Sequence, residues 1–153
     1  METIPSSKPR IFLDADVIFA GSASPNEHST SNLIIRMGEL GLIDAFTSIQ
    51  VITEVERNLG DKLPNAMPAF QLLAHRSLKI VADPMQDDLR AYLGLADFAD
   101  LPILVAAIRE GCGFLTTFNL RHYQPGHHAI QVLKPGDLVL RVRYLLARLG
   151  DES

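Results

Sequence analysis

The feature that most constrains this chain is alternation. Short runs of β-forming residues, RIFLDADVI, IDAFTS, LKIV, GFLTT and IQVL, are separated by longer segments whose apolar residues recur at helical spacing. Strand and helix in turn point to parallel strands, because a parallel strand must be reached by a crossover, usually a helix. The expected fold is α/β: a three-layer α/β/α sandwich on a mainly parallel five-stranded sheet. Such sheets place their sites at the carboxyl ends of the strands, where the winding direction reverses.

The sequence assigns the first strand to residues 11–18 and a loop rich in turn and capping residues to SASPNEHSTSN. A helix follows, with Leu33, Met37 and Leu40 on one face and Gly41 closing it. The second strand is 43–48. The next helix carries Ile52, Val55 and Leu59 on one face, with Gly60 after it. Another helix is expected over 68–75, a third strand at 78–81, and a short helix before the ADFAD loop. Asp100 suits the N-cap of the clearest helix, with Pro102 in its first turn and Gly111 at its end. Strands at 113–117 and 130–133 precede a final helix striped by Leu138, Val142, Leu145 and Leu149. Residues 1–9 read as a flexible lead-in and 10–150 as a single domain, as expected for 153 residues.

Within the first strand lie Asp14 and Asp16. Residues i and i+2 of a strand share a face, so the expectation is two neighbouring carboxylates in an apolar run. Burying two unpaired like charges costs on the order of several kcal/mol each, and a divalent cation offsets that for both at once. Glu54 sits at the edge of the second helix's apolar face, where a solvated glutamate is the plainer account. Asp97 and Asp100 occupy turn and cap positions before strand four. Thr116, Thr117 and Asn119 close that strand, and Arg121 and His122 lie just beyond, within reach of a phosphate. His122, His127 and His128 have no zinc-type spacing and read as loop residues. An all-oxygen group of this kind prefers Mg2+ or Mn2+ to Zn2+.

Composition narrows the class. The formal net charge of −4 argues against strong nonspecific binding to a phosphate backbone, while leaving room for a basic rim beside an acidic site. The single cysteine, Cys112, excludes an intrachain disulfide and fits a reducing cytoplasm. It lies between two glycines and reads as a small residue in a tight connection. METIPSSKPR lacks the apolar segment of a signal peptide, and no apolar run is long enough to span a bilayer, so no membrane role is expected.

LDADV resembles the first motif of PIN-domain nucleases, and ITEVERNL resembles their second, a glutamate in a helix. DFADLPILVAAIREGCGFLTTFNLRHY resembles the third and fourth motifs, most closely in the branch of VapC-like toxins of toxin–antitoxin pairs. HAIQVLKPGDLVL resembles that branch's closing strand and helix. The resemblance spans roughly residues 10 to 140.

It implies that Asp14, Glu54 and Asp100 hold a Mg2+ or Mn2+ ion and that Asp16 fills the variable polar position. Asn119 stands where the family has a fourth acidic residue. Asparagine keeps a carbonyl oxygen but loses a charge, so a second metal would be held less firmly unless Asp97 compensates. The family's sheet order would bring Asp14 and Asn119 together. The implied activity is metal-dependent endoribonucleolytic cleavage leaving a 3′-hydroxyl and a 5′-phosphate. Asp16, Thr117 and Asn119 would orient ligands and water, and Arg121 would position the RNA backbone. The same resemblance implies an antitoxin protein over the acidic groove, and pairing as a homodimer. Two rivals are carried forward. One is a catalytically inactive RNA- or protein-binding module, suggested by Asn119. The other is an aspartate-based phosphatase or phosphotransferase, for which Lys79 and Lys134 are poorly placed.

Overall fold

A computed structural model describes residues 8–23 and 29–151, with no side-chain description at 150–151. Most of the expected lead-in and part of the expected SASPNEHSTSN loop therefore lie outside the described residues. Five strands form one sheet: β1 (Arg10–Leu13), β2 (Asp44–Ser48), β3 (Lys79–Val81), β4 (Phe114–Thr116) and β5 (Gln131–Leu133). Their order is β3-β2-β1-β4-β5 and every pairing is parallel. The chain winds outward from β1 in one direction to β3, then crosses to the other side for β4. The switch point is therefore the β1–β4 boundary. The helices are α1 (Ala15–Ala23), α2 (Thr30–Glu39), α3 (Ile49–Lys62), α4 (Met67–Ser77), α5 (Gln86–Leu89), α6 (Leu101–Arg109) and α7 (Pro135–Asp151).

Burial explains the three layers. Ile11, Phe12 and Leu13 are all fully buried, so β1 is covered on both faces, as a central parallel strand must be. α2 packs on α1, α4 and α7, while α6 packs on β2, β4 and α5. Arg10 pairs with Asp44, and Leu13 with Thr116, which brings the carboxyl ends of β1 and β4 level. Among the described residues no helix is long and apolar enough to cross a membrane. Cys112 is buried, and burial pushes its thiol up to about 12, which suits the packing role read from its glycine neighbours.

Several boundaries move. The first strand ends at Leu13, and residues 15–18, expected in the strand, begin α1. Asp14 is the pivot: its N–H donates to Thr116 O (3.1 Å), while its own carbonyl accepts from Ile18 N (3.2 Å). A short run that is apolar on both sides of Asp14 does not separate strand from buried helix by periodicity, which is why the boundary moves. In α2 the buried stripe is Ser31, Ile34, Ile35 and Met37, whereas Leu33 and Leu40 are exposed. Both stripes have helical spacing, and packing selected one. α3 continues through Gly60 to Lys62. In α7, Leu138 and Val142 are fully buried, Leu145 is half-buried and Leu149 is exposed. A 17-residue helix runs about 25 Å, whereas the three-residue strands beside it span about 10 Å, so its far end outruns its support.

Candidate active site

The end of β1, the start of α1 and the turn after β4 are tied together by two carboxylates. Asp14 is buried and fully engaged: Oδ1 accepts from Ala15 N (2.7 Å), and Oδ2 accepts from Thr117 Oγ1 (2.9 Å) and Tyr123 OH (2.8 Å). Asp16, in the first turn of α1, accepts at Oδ2 from Phe118 N (2.9 Å) and Asn119 Nδ2 (3.2 Å). Thr117 Oγ1 also lies 3.3 Å from that oxygen and accepts from Asn119 N (3.1 Å). Oδ1 of Asp16 is buried, and among the described residues no donor reaches it. The two aspartates do converge, but through a strand-to-helix turn rather than through the common face of a strand. Asn119 meets Asp16 rather than Asp14, and it does so as a donor.

Glu54 enters from α3, which Ser48 caps by accepting from Val51 N (3.4 Å). Asp100 comes from the start of α6. Its side chain makes no cap hydrogen bond, contrary to the expectation from sequence; Oδ2 lies 3.3 Å from His122 Nδ1. Asp97 is exposed and held by its backbone, its N–H donating to His122 O (2.7 Å) and its carbonyl accepting from Asp100 N (2.9 Å). Asp97, Asp100 and His122 each offer a ligand atom, and these lie within 4.8 Å of one another. Arg121 is exposed and lines an adjoining cleft.

The electrostatics centre on Asp14. Burial, then the Asp14 charge, push Asp16 up to about 6 against the hydrogen bond from Phe118 N. The same two causes raise Asp100 to about 6; Asp97 and Glu54 add to them and His122 opposes. Glu54 is raised by burial and by Asp14, with Arg57 opposing. Burial and Asp14 raise the Tyr123 hydroxyl, so it stays a donor to Asp14. Three carboxyls on three helices thus feel one buried aspartate. The donor set fits a hard divalent cation: it is oxygen-rich, it concentrates negative charge, and the unpartnered Asp16 Oδ1 is an acceptor that a cation or its water would satisfy.

Tyr123 and His122 are the residues the sequence underrated. Tyr123 is buried against Asp14, yet a lone aromatic in a turn carries no periodic signal. His122 was grouped with His127 and His128, but those two stack on each other (4.2 Å between ring centroids) while His122 faces Asp100.

No protein of curated function matches the chain in sequence. Among solved structures, the fold is similar to that of VapBC2 from Rickettsia felis, bound to a DNA fragment from its promoter. The TM-score is 0.59 at 16% identity, over 80% of this chain and 96% of that one. It is also similar to VapC20 of Mycobacterium tuberculosis, described as a toxin that cleaves the sarcin–ricin loop. There the TM-score is 0.51 at 19% identity, over 69% of this chain and 86% of that one. The PIN domain profile matches residues 10–121, which carry β1 to β4 and every carboxylate of the site, and the chain therefore belongs to the PIN domain family.

Proposed function

We propose that this protein is a metal-dependent endoribonuclease of the VapC-like toxin type. The observation that carries the reading is the convergence of Glu54, Asp100 and Asp16 on the buried Asp14, each raised first by burial and then by that charge. A structural role does not call for four carboxylates at one strand end with a single histidine opposite. Asp14, Glu54 and Asp100 would hold Mg2+ or Mn2+, with Asp97 and His122 completing the donor set on the Asp100 side. When bound, such an ion activates water as a nucleophile and balances charge on a phosphodiester in transition.

The chain's own residues do the rest. Thr117 and Tyr123 fix Asp14 by donating to Oδ2 while Ala15 N donates to Oδ1, so its carboxylate is locked in one orientation. Phe118 N and Asn119 Nδ2 fix Asp16 in the same way, so that its Oδ1 is the free acceptor. Arg121 would steady the RNA backbone. An antitoxin protein over the acidic groove, and pairing of two copies, belong to the same proposal. The second reading, an inactive RNA- or protein-binding module, is favoured by one observation: Asn119 is an amide that donates to Asp16, so the fourth position supplies no charge.

The deciding experiment is cleavage of a pool of structured RNAs in Mn2+, Mg2+ or EDTA, beside the Asp14→Asn protein. Cleavage that needs metal and is lost in the variant supports the nuclease. A folded wild-type protein that neither cleaves nor binds Mn2+ in a calorimetric titration would leave the binding module.

A further inference from the structure

Next to the carboxylates, the turn after β4 and the start of α7 enclose a cleft of about 560 Å3. Phe118, Arg121, His122 and Lys134 line it, and its lining contains no acidic residue. The chain as a whole carries a formal charge of −4, and the neighbouring site gathers five carboxylates, so the absence of acids here is a sharp local reversal. Two observations join the cleft to the site. His122 belongs to both, lining the cleft while its Nδ1 faces Asp100 (3.3 Å). Phe118 has its backbone N–H pinned to Asp16 Oδ2 (2.9 Å), yet its side chain stands exposed in the cleft. The backbone that holds the carboxylate thus also sets the position of an aromatic ring.

An exposed phenyl ring costs apolar surface in water and contributes no packing to the core. Its face suits a base, and only an unstacked base can reach it. Lys134 and Arg121 suit a phosphate, and the cleft's volume suits one nucleotide rather than a duplex. Resting on the nuclease reading above, we propose that this cleft binds the nucleotide next to the scissile phosphate in single-stranded RNA. Phe118 stacks on the base, and Lys134 with Arg121 holds the outer phosphate.

The test is fluorescence anisotropy with a labelled, unstructured hexaribonucleotide in EDTA, where no cleavage occurs. Wild type, Lys134→Gln and Phe118→Leu are compared across a salt series, with the same sequence annealed to its complement as a second probe. Both substituted side chains are exposed, so the fold is not at stake. Lys134→Gln should weaken binding and flatten the slope of log K against log salt by about 0.7, one phosphate contact. Phe118→Leu should weaken binding about fivefold or more and leave the slope unchanged. The duplex should bind less tightly than the single strand. Equal binding by wild type and both variants overturns the proposal, as does equal affinity for the duplex. Because the assay needs no metal, its failure is separable from failure of the nuclease: Mn2+ titration of the same proteins reports on the carboxylates alone.

Discussion

The two ends of this sheet treat charge in opposite ways. At the amino ends of the strands, Asp44 meets Lys79 Nζ (3.0 Å). Arg10 donates to the Glu110 carbonyl (2.6 and 3.0 Å) and lies over the Phe46 ring (4.5 Å from its centroid). Each of these charges has a partner or a ring. At the carboxyl ends, Asp14, Asp16, Glu54 and Asp100 face one another, with the His122 ring 3.3 Å from Asp100. Both ends belong to one sheet and both contain aspartates at strand termini. A charge that serves the fold is given its counterion by the fold. A group of like charges left to repel one another is kept for something that arrives from outside.

The largest effect expected from this contrast comes from the same substitution made at each end. Asp14→Asn should reduce metal-dependent RNA cleavage on the order of 10^3-fold or more, with an unchanged circular dichroism spectrum. Asp44→Asn should leave cleavage within about twofold of wild type, since it touches only a partly exposed ion pair. Equal losses from the two would break the contrast.

The acid response should separate the ends next. Asp16 and Asp100 are pushed up to about 6 from 3.8, so between those values the folded protein binds more protons than the unfolded chain. Stability in EDTA should therefore rise as pH falls from about 7.5 to 5, which thermal melts will read as a higher Tm. Mn2+ should reverse this trend. At about 100 times its Kd it adds about 2.7 kcal/mol near pH 7.5, and less at pH 5, where protons compete for the same oxygens. A Tm in EDTA that instead falls steadily over that range would mean that burial and the Asp14 charge do not hold these carboxyls raised.

Tyr123→Phe removes a buried donor from Asp14 while keeping the ring, and should cost about 1–2 kcal/mol in urea unfolding. It should also weaken Mn2+ binding, because Asp14 loses part of what aims it. Lys79→Gln at the far end should cost less than about 1 kcal/mol and leave Mn2+ affinity alone. If the lysine proved as costly as the tyrosine, the paired end would matter more to the fold than its exposure suggests.

Much of this was legible in the chain. Alternating strands and helices specified a parallel α/β sheet, since that pattern has few other ways to bury its apolar faces. Asp14 and Asp16 stood out because two carboxylates in an apolar run demand an explanation, whereas Glu54 and Asp100, which read on their own as a solvated glutamate and a helix cap, joined them only through the resemblance to PIN-domain nucleases. The apolar run through Phe19 concealed the break at Asp14, because a helix buried on most sides and a buried strand share the same composition. The rest depended on partners distant in sequence. Tyr123 reaches Asp14 from 109 positions away, and Asn119 reaches Asp16 rather than Asp14 from 103. Asp100 turned from its cap to His122, and the cation-lined cleft exists only where the turn after β4 meets the start of α7. Local patterning fixes period and class, because these depend on neighbours along the chain. Which oxygen is held, which is left free and which ring faces the cleft depend on the pairing of β1 with β4, and only the folded sheet supplies that.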